Sequence, residues 1–124
     1  MQTKIKHMAI LSPATLHLSA FYEGLFGMDP DHVARTARLS DGYVGMNINP
    51  MAIGRKAGLN HWGFEVDNLP EVQARLRERH PEIELVSRPS NRPFAGLTTH
   101  DTEGNIFDLS AAEMPNRGSV YVRE

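Results

Sequence analysis

Two histidines and an aspartate carry the chemistry that this sequence offers most plainly. His7 sits in "KIKHMAIL", His61 in "GLNHWGFEV" and Asp108 in "NIFDLSA", and each stretch alternates apolar with other residues. Alternation with period two is a strand pattern, in which every second residue shares a face. Met8 and Ile10 therefore point opposite to His7, and Trp62, Phe64 and Val66 opposite to His61. Phe107 and Leu109 form the apolar face of the last strand, so Asp108 points the other way. Two imidazoles and a carboxylate with open coordination positions suit Fe(II), Mn(II), Zn(II) or a similar divalent ion such as Ni(II). The residues stand 61 − 7 = 54 and 108 − 61 = 47 positions apart with no local motif joining them. Hydrogen-bonded core histidines and a polar wall aspartate are the competing reading.

Other residues could serve such a centre. Glu65 shares the face of His61 two residues on and is a candidate general base or a partner to a ligand. His100, beside the turn residue Asp101, is a candidate acid–base group, with simple solvation as its alternative. Arg88 and Arg92 in "SRPSNRPF" flank a proline-bearing loop and could clamp an anionic substrate through bidentate contacts.

These side chains need elements to hold them. The chain has 124 residues, 40% hydrophobic and 23% charged, enough for one compact domain that buries roughly two-thirds of its extended-chain surface. Cysteine is absent, which excludes disulfides and thiolate ligands, so a metal must be held by nitrogen and oxygen. The formal net charge of −2 comes without a basic block, against a nucleic-acid binder and for a small-molecule partner. No window approaches about 18 consecutive apolar residues and "MQTKIKH" is no secretory leader, so a cytoplasmic protein is expected.

Residues 3–11 predict a strand, and Ser12 with Pro13 predicts the start of a helix. That helix carries Leu18, Phe21, Tyr22 and Leu25 on one stripe and ends at Gly27. Two or three short strands follow between Asp31 and Asn49, turning at "SDG", and residues 50–58 read as a linker. The second half repeats the plan: strand "NHWGFEV", capped helix "DNLPEVQARLRERH" with Leu69, Val72 and Leu76 inward, then "EIELVSRP", "FAGLTTHD" and "NIFDLSA". With His7 set on His61, Ile5 meets Leu59, Met8 meets Trp62 and Ile10 meets Phe64, so the hydrophobic phase agrees on both sides. The chain reads as one domain of two modules, about 1–52 and 58–112, plus a short C-terminal tail.

"IKHMAI…FYEGLFGM", "GLNHWGFEVDNL" and "HDTEGNIFDLS" together resemble the vicinal oxygen chelate superfamily, which includes glyoxalase I, fosfomycin- and bleomycin-resistance proteins, extradiol dioxygenases and methylmalonyl-CoA epimerase. The resemblance runs from about residue 4 to 110. It implies an α+β fold in which two tandem βαβββ modules form a cupped, barrel-like mixed sheet with helices outside. It also implies metal ligands at His7, His61 and Asp108. The last ligand of the family is usually glutamate, and the shorter aspartate must sit closer to the ion or take a water between. Matching Gly42 with Gly104 sets Met46 at the position of Asp108, with Asn47 nearby, so the first half supplies no carboxylate. Met46 and Asn47 are then candidate substrate contacts, and the three-ligand members fit better than the four-ligand glyoxalase I and epimerase.

The resemblance implies a metal-dependent enzyme, of dioxygenase, lyase or transferase type, whose small substrate chelates the ion through two neighbouring oxygens. The alternative is a metal-free protein that sequesters a small molecule, as bleomycin-resistance proteins do. A homodimer is expected, and no nucleic acid or membrane partner.

Overall fold

The computed structural model describes residues 2–87 and 96–111. In chain order the elements are β1 (Thr3–Ser12), α1 (Thr15–Phe26), β2 (Asp31–Val33), β3 (Thr36–Ser40), β4 (Gly45–Pro50), β5 (Gly58–Val66), α2 (Leu69–Arg79), β6 (Val86–Ser87), β7 (Leu97–His100) and β8 (Ile106–Ala111). The class is α+β, and the order is βαβββ twice, as the repeat predicts. Arg88, Arg92 and the C-terminal tail lie outside the described residues.

The chain divides into two compact units, one spanning Lys6–Asn60 and the other running from His61 onward together with the N-terminal stretch up to Ile5. Two hydrogen bonds tie Gln2 to Asp67: the Gln2 N–H donates to Asp67 Oδ2 at 3.0 Å, and the Asp67 N–H to the Gln2 carbonyl at 3.2 Å.

In the Lys6–Asn60 unit the strand order is β2-β3-β4-β1. β4 runs parallel to β1 and antiparallel to β3. Met8 and Ile10 are level with Met46 and Ile48, and Ile48 and Met46 are level with Ala37 and Leu39. These residues make one face, whose core of Ala37, Leu39 and Ile48 is fully buried and packs against Leu18, Tyr22, Met28 and Met46. Burying Leu39 and Ile48 contributes roughly 1.5–3 kcal/mol each.

Helix α1 covers that face, but not with the stripe its spacing suggests. Leu18 and Tyr22 face the core, whereas Phe21 is 59% and Leu25 61% exposed, and the buried positions are Thr15 and Ser19. Small residues let the helix sit close to the sheet. Ser19 tolerates full burial because its hydroxyl donates to Glu23 Oε2 at 2.6 Å. The helix also begins later than Ser12–Pro13 suggests, with Ala14 at the N-cap. Ser12 Oγ accepts the Ala14 N–H at 3.0 Å and shapes the approach. Gly27 closes the helix in the left-handed region, φ 67°, where glycine carries no Cβ penalty.

In the other unit the order is β5-β8-β7-β6, again mixed, with β8 parallel to β5 and antiparallel to β7. Trp62, Phe64 and Val66 are level with Phe107, Leu109 and Ala111, and the Phe64 and Phe107 rings meet edge to face at 5.4 Å. Helix α2 contacts β8, and Leu69, Val72 and Leu76 are half-buried there. Asn68 caps it, its Oδ1 accepting the Glu71 N–H at 3.1 Å.

Candidate metal centre

Asp108 lies on β8 directly beside Gly63 of β5, and His61 beside Ile106. Partners in register share a face, so His61, Gly63, Glu65, Asp108 and Ser110 look to one side and the Phe64–Phe107 pair to the other. His61 Nε2 stands 3.1 Å from Asp108 Oδ2. Asp108 is 1% exposed, and a carboxylate so fully withdrawn from water needs a cation or donors close by. Gly63, between His61 and Glu65, is buried and has no side chain to set beside Asp108. Glu65 is itself buried. His100 is level with Ile106 and so on the same face, but it is solvent-exposed at the strand's end, its Nδ1 2.8 Å from the Asp101 carbonyl oxygen.

The turn that feeds β8 is built by Asp101. Its Oδ1 accepts the N–H groups of Glu103 and Asn105 at 2.8 and 2.9 Å, and its Oδ2 accepts from Asn105 Nδ2 at 2.9 Å. Gly104 supplies the positive φ of 87° that the turn needs. The side chain of Asn105, then its N–H and that of Glu103, hold the Asp101 carboxyl below its usual range. "HDTEGN" is therefore the device that sets the register of Asp108.

In the Lys6–Asn60 unit His7 is 3% exposed and level with Gly45, while Ala9 is level with Asn47 and Leu11 with Asn49. His7, Ala9 and Asn47 thus repeat the pattern of His61, Gly63 and Asp108: a histidine, a small residue two places on, and a polar side chain beside that small residue. The first-half counterpart of Asp108 is Asn47, not Met46. The first turn closes from Asp41 to Val44 and the second from Asp101 to Asn105, so the second is one residue longer and the two turn glycines do not correspond. Met46, expected among the substrate contacts, instead packs in the core under α1, because strand alternation turns it away from His7. The signal that finds Asn47 is a count across the parallel pair from the histidine, which needs the register. Its Oδ1 is buried with no hydrogen-bond partner among the described residues.

No family model and no curated protein matches the sequence. Solved structures do. A hypothetical protein from Bacillus halodurans C-125 has a TM-score of 0.70 at 15% identity, covering 95% of this chain and 100% of that one. A methylmalonyl-CoA epimerase in complex with methylmalonyl-CoA and ammonium gives 0.66 at 18% identity over 91% of this chain and 96% of that one. The Mycobacterium tuberculosis methylmalonyl-CoA epimerase gives 0.64 at 19% identity, with 87% of each covered. The chain shares with these structures its α+β fold, a glyoxalase-like mixed sheet. At such identities the likeness is one of fold.

Proposed function

We propose that this chain is a metal-dependent enzyme that binds a small molecule through two neighbouring oxygens and moves a proton on it. One observation carries the reading. Within one unit His61 Nε2 stands 3.1 Å from Oδ2 of the fully buried Asp108, and in the other unit His7 is buried at the corresponding strand position. Donors about 2.0–2.2 Å from one ion stand at most about 4.4 Å apart, so the 3.1 Å between His61 and Asp108 is a spacing that one ion can span.

The donor chemistry fits Fe(II), Mn(II), Zn(II) or Ni(II). When bound, such an ion supplies Lewis acidity toward two substrate oxygens. Asn47, level with Ala9 two residues after His7, is a proposed substrate contact through its neutral amide oxygen. Glu65, buried on the face of His61, is the proposed base for a proton next to the chelated group. His100, at the exposed end of that face, is the proposed exchange point with solvent. Arg88 and Arg92 are proposed anion contacts. The neighbours' acyl-CoA ligand makes a small oxyanionic thioester or keto acid a sensible first substrate class. A cytoplasmic homodimer completes the proposal, and no helix among the described residues is long and apolar enough to cross a membrane.

A second reading has one observation in its favour. His61 and Asp108 already satisfy each other at 3.1 Å, as a metal-free binding protein requires. Elemental analysis separates the two, using the purified protein, His61→Ala and Asp108→Ala after loading with Fe(II), Mn(II), Zn(II) and Ni(II) in turn. The enzyme reading expects about one ion per chain, lost in both variants. No ion under any loading overturns it and leaves the binding protein.

A further inference from the structure

The opposite face of the Lys6–Asn60 sheet carries a second, unrelated feature. Between the end of α1 and the β3–β4 turn lies an open groove of about 490 Å³, lined by Tyr22, Phe26, Gly27, Met28, Ser40, Asp41 and Met46. Its size falls in the range of small-molecule sites, about 300–1,000 Å³. The Tyr22 and Phe26 rings stand nearly parallel, at 16° with centroids 6.5 Å apart, and Phe21 meets the Tyr22 edge at 5.3 Å. Phe26 is 66% exposed, so an aromatic surface that a folded chain ordinarily buries stands open beside two methionines.

The electrostatics of this groove have one sign. Asp41 is its only charged lining residue. Its Oδ1 accepts the N–H groups of Tyr43 and Val44 at 2.8 and 2.7 Å, and these bonds, Val44's first, hold the carboxyl below its usual range. No cationic side chain pairs with Asp41 among the described residues. The second source is α1 itself. Its C-terminal end, at Phe26 and Gly27, forms part of the wall, and its last turn holds no basic residue. The partial negative charge of the terminal carbonyls is thus left uncompensated by the helix's own side chains. Aromatic faces and methionine sulfur also favour a cation with an apolar body.

We propose that this groove binds a small organic cation, an alkyl- or arylammonium, with its charged head at Asp41 and its apolar body against Tyr22, Phe26, Met28 and Met46. The site is independent of the metal centre, since Met46 and Asn47 point to opposite faces of β4, and it needs no ion there.

The test is methyl NMR on the full chain with isotope-labelled methionines, the Met28 and Met46 signals being assigned through Met28→Leu and Met46→Leu. The probe is 2-phenylethylammonium, and its neutral counterpart 2-phenylethanol is the control. Saturable shifts at Met28 and Met46 are expected, with the ammonium binding at least about fivefold more tightly than the alcohol. Asp41→Asn keeps the Oδ1 acceptor that the turn uses and removes the charge, and it should erase that preference while leaving the alcohol's affinity unchanged. Tyr22→Leu should weaken both probes. The proposal is overturned by Met28 and Met46 signals that stay still up to the probe's solubility, by shifts spread over all methionines, by equal affinity for the two probes, or by an ammonium preference that survives Asp41→Asn.

Discussion

Asp108→Asn keeps the shape of a side chain that is 1% exposed and removes its charge, which makes it a sharp probe of the metal reading. Without metal the change has two opposing parts. It loses the carboxylate that faces His61 Nε2 at 3.1 Å, and it relieves the cost of burying that charge. The midpoints of thermal unfolding of the two metal-free proteins should therefore lie close together. With metal they should separate. An ion present at about 100 times its dissociation constant stabilises the folded state by about 2.7 kcal/mol. For a domain of this size one kcal/mol moves the midpoint by about 4 °C, so the parent should gain roughly 10 °C. Losing even an indirect support of a metal costs 10–100-fold in affinity, so losing a charged ligand should cost at least about a hundredfold. At the same ion concentration the variant is then near its dissociation constant and gains only about 0.4 kcal/mol, less than about 2 °C. The assay is a pair of melts, with and without each ion, followed by far-ultraviolet circular dichroism. Equal ion-induced shifts in parent and variant would refute the assignment of Asp108 as a ligand.

Leu39→Ala, at a fully buried position in the core cluster with Ile48 and Ala37, should cost about 2–5 kcal/mol in urea unfolding. Asn68→Ala removes the acceptor of the Glu71 N–H and should cost about 1 kcal/mol, with lost helical signal confined to α2. Asp101 has a lowered carboxyl pKa in the folded state, caused first by the Asn105 side chain. Its stabilising contribution is therefore present above the unfolded pKa and is lost as the pH falls through the folded one. Asp101→Asn should accordingly be less stable than the parent at neutral pH, with the gap shrinking below about pH 4 in a series of urea titrations.

What the sequence made legible follows from locality. Alternation around His7 and His61 correctly separates Met8 and Ile10 from one histidine and Trp62 and Phe64 from the other, because strand parity depends only on neighbouring residues. The common face of His61 and Asp108 follows from the same parity. Helix α1 was less legible. Its apolar residues occur around most of the circumference, so spacing alone picks Phe21 and Leu25, while the close approach allowed by Thr15 and Ser19 rotates both into solvent. The partner of Asp108 in the first half was illegible for another reason. Gly42 and Gly104 both have positive φ, yet they occupy different places in turns of different length. A glycine records that a turn exists, and does not record how many residues it holds. The buried Asn47 oxygen lay behind that one-residue difference.

The allegiance of residues 2–5 bears on how the chain is made. Residues 2–5 complete a unit that otherwise begins only at His61. The bonds between Gln2 and Asp67 close a loop of 67 − 2 = 65 residues, so the start of β1 must wait, unpaired with Asp67, until Asp67 has been synthesised. Lys6–Asn60 has no such wait and can collapse on its own segment.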